Sequence, residues 1–232
     1  MPLPRDVGVL VVAGGRGERL GGGVLKQYRE IAGVPMLLRA LRPFVSHPEV
    51  GHVVVALPAT HATAPPEWLA LLAGDGLSLV SGGQSRSESV RNALGVLRDE
   101  CAIVLVHDGA RPFVERATID GVIRAARTGE GAVAAVPLSD TLKEADASDG
   151  WVARTIPREH LWRAQTPQGF PREVLAAAYE RAGAAAESAT DDASLVEQSG
   201  HKVRIVADSP RNFKITTVDD LALAELWARR PA

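Results

Sequence analysis

The chain has 232 residues, 46% hydrophobic and 23% charged, with a formal net charge of -2; that length and balance suit one α/β domain with a large core, and the charge excludes broad binding to nucleic acid or an anionic membrane, leaving local basic pockets and a small partner. Cys101 is the single cysteine, which excludes an intrachain disulfide and a cysteine zinc cluster, and beside an apolar run it reads as a buried thiol. The first residues carry one arginine and only a short apolar stretch, and nowhere do eighteen apolar residues run together, so neither a signal peptide nor a membrane helix is expected and the expected compartment is the cytoplasm.

Val9 to Val12 is a short apolar run rich in β-branched residues and stopped by glycine, which predicts a strand buried on both faces. The loop after it changes character. Gly14, Gly15, Gly17, Gly21, Gly22 and Gly23 leave few Cβ atoms in the way, while Arg16, Arg19 and Lys26 supply positive charge; backbone N–H groups brought close to such cations suit a polyphosphate. A Walker loop does not fit, because Lys26 follows Leu25 and precedes Gln27. A dinucleotide fingerprint fits Gly15 and Gly17, but its third glycine falls on Leu20 and no helical pattern opens there. A merely flexible glycine loop leaves unexplained why three cations stand within eleven residues behind a buried strand.

Farther on, strands and helices alternate. Pro35 suits the first turn of a helix carrying Met36, Leu37, Leu38 and Leu41 and ending near Pro43 and His47-Pro48. Val53 to Leu57 is the second strand, Pro65 to Leu72 a helix, and Leu77 to Val80 a short strand. SGGQSRSESV follows, in which Ser87 is expected to cap a helix through Leu97, so Gly82 and Gly83 sit between a strand and a helix N-terminus where anions are favoured. A plain glycine turn before a capped helix reads equally well. Ile103 to Val106 is the next strand and runs into His107-Asp108-Gly109-Ala110-Arg111-Pro112. A carboxylate at the carboxyl end of a parallel strand is placed to hold a metal ion or a hydroxyl, so Asp108 is the leading acid; His107 reads as a histidine satisfied near the core. Glu115 to Thr128 forms a helix closed by Gly129, and Ala132 to Val136 another strand.

From Pro137 the alternation breaks. Residues on either side of Asp146-Ala147-Ser148-Asp149-Gly150 predict an antiparallel hairpin, spanning 138–156 and protruding from the domain. Its Trp151 and valine need cover, from a dimer partner or from a loop folded back on the same domain. Pro157 to Gln168 is polar with little periodicity. An alanine-rich helix runs from Pro171 to Ala186, and Thr190 is expected to cap a short helix whose first turn holds Asp191 and Asp192, acids that helix-dipole pairing explains as well as metal binding does. Val203 to Val206 is the last strand, and Thr217 with Asp220 makes a capping box for the final helix.

The segments AGGRGERL, LKQY, GGQSRSESV, HDGARP, DTLKE, REHLWRAQTPQ, TDDASLVE and NFKIT stand in the order shown by the 2-C-methyl-D-erythritol 4-phosphate cytidylyltransferases, and nearly the whole chain resembles that family. The resemblance implies a Rossmann-like nucleotidyltransferase fold, with a mostly parallel sheet flanked by helices and a dimerising arm. It also implies a CTP site in the glycine loop, Mg²⁺ or another divalent cation, and a homodimer with shared active sites working in non-mevalonate isoprenoid synthesis. Residue by residue it makes Arg19 and Lys26 the transition-state cations, and Arg158 and Lys214 the pair that positions the sugar-alcohol phosphate. Asp108, Arg111, Thr141 and Thr166 fall on substrate-site positions, with Asp108 also a candidate for the metal. Ala13, Gly14, Gly15, Arg16 and Gly17 fall on nucleotide contacts, and Gly82, Gly83 and Ser89 on the base and ribose contacts. The chain departs from the pattern at Val12 and Leu25, where proline is usual, and at Gly14 and Gly109, where alanine is usual.

The charges agree with this chemistry independently of the resemblance. A phosphate monoester is already anionic at neutral pH, so its attack on an α-phosphorus needs no general base; the barrier is gathering anions while charge grows toward pyrophosphate, and cations with Mg²⁺ answer it. A related enzyme using another alcohol phosphate, such as a pentitol phosphate, and a non-catalytic nucleotide-binding protein are the alternatives, the second disfavoured by Arg19, Lys26, Arg158 and Lys214 standing together.

Overall fold

The computed structural model describes residues 4–15, 24–146 and 150–229, so Arg16, Gly17 and Arg19 of the glycine loop lie outside the described residues. The first half runs β1 (Val7–Val12), the two-residue strands β2 (Glu30–Ile31) and β3 (Val34–Pro35), α1 (Met36–Val45), β4 (Val50–Leu57), the short helices α2 (Ala59–Thr63) and α3 (Glu67–Ala70), β5 (Leu77–Ser81), α4 (Arg86–Gly95) and β6 (Ile103–Asp108). The second half continues with α5 (Arg116–Ala126), β7 (Gly131–Pro137), β8 (Leu142–Ala145), β9 (Val152–Ile156), β10 (Trp162–Pro171), α6 (Arg172–Ala182), α7 (Asp192–Gln198), β11 (Val203–Ala207) and α8 (Val218–Ala228).

Seven strands form one sheet in the order β11-β7-β10-β6-β1-β4-β5. All pairings in it are parallel except those of β10, which runs antiparallel to both β6 and β7. The near-continuous apolar runs follow from burial on both faces. Successive residues of β1 alternate between two cores: Val7, Val9 and Val11 pack with Leu41, Phe44 and Ile119 on one side, and Leu10 packs with Val90, Phe170 and Leu175 on the other. A third, smaller cluster of Ile31, Met36, Ile215 and Ala224 docks α8 against the β2–β3 corner. No described helix is long and apolar enough to cross a membrane.

The hairpin of β8 and β9 forms a separate two-stranded sheet, as the break in alternation predicts, with Leu142 paired to Ile156. Its expected turn includes residues 147–149, which lie outside the described residues. The capping box of Thr217 and Asp220 is present, and Cys101 is buried.

Several boundaries differ from expectation. Ser85, not Ser87, caps α4 by accepting from the Glu88 amide, whereas Ser87 is buried and its hydroxyl donates to the Ala186 carbonyl. Asp191, not Thr190, caps α7 by accepting from the Ser194 amide. The helix expected from Pro65 to Leu72 shrinks to the single turn Glu67–Ala70. The alanine-rich helix ends at Ala182, where Gly183 takes a φ of +51° and the chain tightens into a 3₁₀ segment.

The largest difference is β10. Its residues WRAQTPQGFP lack period-two alternation and contain proline, which removes a ladder donor. The strand accommodates Pro167 in an irregularity between Ala164 and Gln168, and the buried Gln165 and Gln168 side chains take the place of apolar ones by bonding to the Asn212 carbonyl, the Asp191 carboxylate and the Ala193 amide.

Candidate active site

In an open parallel sheet, ligands collect beyond the carboxyl ends of the strands where the winding reverses direction. Here that place is β1, flanked by β4 on one side and β6 on the other. A cavity of about 500 Å³ opens there, within the usual range for small-molecule sites. Its wall includes Ala13, Gly14 and Gly15 after β1, Lys26, Gly83 and Ser89 from the turn before and the body of α4, Asp108 at the tip of β6, and Lys214. Gln27 and Arg86 also line it, although neither stood among the expected site residues. Lys26, Arg86 and Lys214 share this lining with Asp108, the one carboxylate that lines it among the described residues.

Asp108 is the electrostatic centre. Arg86 Nε lies 3.3 Å from its Oδ1, while Lys214 Nζ at 3.0 Å and Arg111 Nε at 3.4 Å approach its Oδ2. Burial alone pushes the carboxyl up, but Arg86, Lys214 and Arg111 outweigh it and hold Asp108 well below the usual carboxylate range. The anion is therefore fixed at working pH.

Behind it stands a layer that positions rather than lines. The Asp108 amide donates to Thr166 Oγ1 at 3.0 Å, and Thr166 Oγ1 lies 3.0 Å from His107 Nδ1. His107 Nε2 faces the Arg111 carbonyl at 3.1 Å. A carbonyl only accepts, so Nε2 carries the proton and Nδ1 accepts from the threonine hydroxyl. Complete burial pushes the imidazole down to about 4, against smaller opposing effects of Arg111 O, Asp108 and Thr166, so the ring is neutral and structural, as the sequence implied. Thr166 is thus spent on bracing Asp108 and does not line the cavity. Arg111 also points its Nη1 to the Asn212 carbonyl at 2.8 Å, and Asn212 Nδ2 donates to the Thr166 carbonyl at 2.7 Å and to Asp208 at 2.6 Å. This knot anchors the segment that carries Lys214.

The second glycine pair works by closeness. Gly82 donates to the Leu57 carbonyl at 2.7 Å, and a Cβ at this position would stand 2.9 Å from Ser89 Oγ. Ser89 Oγ accepts from the Gly83 amide at 3.0 Å and donates to the Ser85 carbonyl at 2.9 Å. A side chain at 82 would break that clasp, so glycine is required there.

Of the expected residues, the structure gathers Ala13, Gly14, Gly15, Lys26, Gly83, Ser89, Asp108 and Lys214 around one cavity, with Gly82, Arg111 and Thr166 directly behind it. Thr141 and Arg158 are not brought there within one chain. They stand exposed at the base of the hairpin, where Arg158 donates to the Ser139 carbonyl.

A Rossmann-like sheet with a cation-walled, glycine-lined cavity at its switch point defines an α/β nucleotidyltransferase. The comparisons narrow the class. The model of the 2-C-methyl-D-erythritol 4-phosphate cytidylyltransferase family matches residues 7–230. The Salinibacter ruber 2-C-methyl-D-erythritol 4-phosphate cytidylyltransferase is 46% identical over 224 residues, covering 94% of this chain and 92% of its own. Among solved structures, the enzyme of the same name from Thermus thermophilus superposes with a TM-score of 0.79 at 34% identity over 99% of this chain and 100% of its own. The 4-diphosphocytidyl-2C-methyl-D-erythritol synthase from Anaerococcus prevotii gives 0.83 at 26% identity over 97% and 98%. The chain belongs to the 2-C-methyl-D-erythritol 4-phosphate cytidylyltransferase family. It is a CTP-dependent nucleotidyltransferase that moves a cytidylyl group onto 2-C-methyl-D-erythritol 4-phosphate in isoprenoid precursor synthesis.

Proposed function

We propose that this transfer takes place in the Asp108 cavity, with the α-phosphorus of CTP held between the glycine loop and the lysines. The observation that carries the reading is that one cavity is lined by Lys26, Asp108 and Lys214, from segments far apart in sequence, with Lys214 Nζ 3.0 Å from Asp108 Oδ2. Lys26, together with Arg19 of the same loop, neutralises charge growing on the bridging oxygen as pyrophosphate leaves. Lys214 and Arg158 grip the acceptor's phosphate monoester, whose own anionic oxygen attacks without a base. Gly82, Gly83 and Ser89 meet the base and ribose, where close backbone approach matters most.

A divalent cation fits these residues. Among the described residues no cluster of three or more histidine, cysteine or acidic side chains could hold an ion alone, and the cavity offers one carboxylate, a donor set that suits Mg²⁺ bound mainly by phosphates and water. Asp108 would contribute the protein's oxygen. When bound, the ion supplies charge neutralisation at the triphosphate.

Thr141 and Arg158 serve the partner's cavity in a homodimer built through the 138–156 arm of each single domain. Trp151, Val152 and Leu142 are 74%, 58% and 38% exposed on the arm, apolar exposure that supports a second copy as its cover. Drawing on the cellular CTP pool, the enzyme works in the cytoplasm, on small molecules and apart from nucleic acid or membrane.

The test is pyrophosphate release with each of the four nucleoside triphosphates and either 2-C-methyl-D-erythritol 4-phosphate or a pentitol phosphate. CTP with the methylerythritol phosphate should be strongly preferred, chelator should abolish turnover, and Mg²⁺ should restore it. Turnover that persists after Asp108→Asn and Lys26→Ala together would move the reaction out of this cavity.

A further inference from the structure

Asp192 is completely buried, yet α7 has no need of it as a cap, because Asp191 already accepts from the Ser194 amide. Its two oxygens are committed elsewhere. Oδ1 accepts from the Tyr179 hydroxyl at 2.6 Å, and Oδ2 lies 2.8 Å from Arg86 Nη2. Buried ion pairs contribute little net stability compared with apolar residues of similar volume, so stability by itself is a poor reason for a carboxylate here. A charge that must hold another charge in place is a better one.

Arg86 is that other charge. One guanidinium spans two buried carboxylates, Nη2 on Asp192 and Nε toward Asp108 Oδ1 at 3.3 Å. The guanidinium is planar, so pinning Nη2 fixes the direction of Nε. Asp192 does not line the cavity, whereas Arg86 and Asp108 do. We propose that Asp192 is a positioning residue for the cytidylyl transfer, acting through Arg86 to keep Asp108 set at the cavity floor. Without Asp192 the nearest anion to the Arg86 fork is Asp108, and the fork closes on it, withdrawing the carboxylate from substrate and metal and the guanidinium from the wall.

The inference rests on the cavity being the reaction site, and steady-state kinetics in both substrates separate the two. Asp192→Asn should lower kcat by about 10–100-fold, the scale of a misplaced active-site group, with a smaller change in KM for CTP, and Asp192→Glu should recover much of the loss. In the Arg86→Lys background, which has already lost the fork, adding Asp192→Asn should cost nothing more. Should Asp192→Asn fold poorly, Tyr179→Phe removes only the hydroxyl that orients Asp192 and should show a weaker loss, again masked by Arg86→Lys. Losses that multiply in the double variant, or an Asp192→Asn enzyme with the wild-type kcat, overturn the proposal. If Asp108→Asn itself retains full turnover, the cavity assignment falls instead.

Discussion

Lys214 Nζ lies 3.0 Å from Asp108 Oδ2, joining the loop before α8 to the tip of β6 across more than a hundred residues of chain. The lysine side chain is 41% exposed and that of the aspartate 8%, so the pair has one foot in the core and one in the cavity. Arg86 and Arg111 also attend Asp108. Lys214 is therefore dispensable for neutralising it and is available to an incoming phosphate.

Replacing Lys214 or Lys26 with alanine should lower turnover by roughly 10²–10³-fold, the usual cost of one preorganised donor to developing charge. Melting temperature should barely move, since little buried apolar area is lost. Arg19→Ala, in the same glycine loop, should behave like Lys26→Ala. Turnover near wild type in the Lys26 variant, measured by pyrophosphate release, would remove that lysine from the chemistry.

His107 should make the fold acid-sensitive. Its ring is held neutral down to about pH 4, whereas in the unfolded chain it takes up a proton near 6.5. Between those values the unfolded state binds more protons, so the contribution of His107 is full above 6.5 and is lost as pH falls toward 4, by on the order of 3 kcal/mol. Urea unfolding at stepped pH should show this slope in the wild type and a flatter one in His107→Gln.

Two glycines that stand where relatives are expected to carry alanine should respond oppositely. A Cβ on Gly14 would meet only Ser89 Oγ at 3.6 Å, an ordinary contact, so Gly14→Ala should stabilise by about 0.4–1 kcal/mol through the unfolded chain. A Cβ on Gly109 would stand 3.1 Å from both Ala13 Cβ and Leu37 Cδ1, and 3.3 Å from the Val12 carbonyl. Gly109→Ala should cost about 1–3 kcal/mol from overpacking, and disturb the adjoining Asp108. Thermal melts of the two variants decide it.

Sites shared across a dimer predict complementation. Arg158→Ala and Lys26→Ala chains are each expected to be inactive alone. After subunit exchange about a quarter of the sites in a random mixture should carry neither lesion, since each site draws one group from each chain. A mixture that stays inactive after demonstrated exchange would mean that each chain holds a complete site of its own.

Much of this was legible in the residues because it is local. The strands β1, β4 and β6 announce themselves as apolar runs, the capping box of Thr217 and Asp220 needs only four residues, and the cations within and just after AGGRGERL mark a polyphosphate loop wherever the chain takes it. Asp108 could be picked out because a carboxylate ending a buried parallel strand has only the ligand side of the sheet to face. Other features depend on distant partners. Gln165 and Gln168 read as loop residues until Asn212, Asp191 and Ala193 supply the bonds that let a polar segment become the antiparallel strand β10. Ser87 reads as the cap of α4 until the Ala186 carbonyl claims its hydroxyl, and the Glu88 amide bonds to Ser85 instead. Arg86 passes unmarked within SGGQSRSESV, and Asp192 reads as a dipole partner, because nothing local says that folding will bring them together beside Asp108. Local propensity and periodicity are properties of neighbouring residues, whereas the partner of a buried charge is chosen by the packing of the whole sheet.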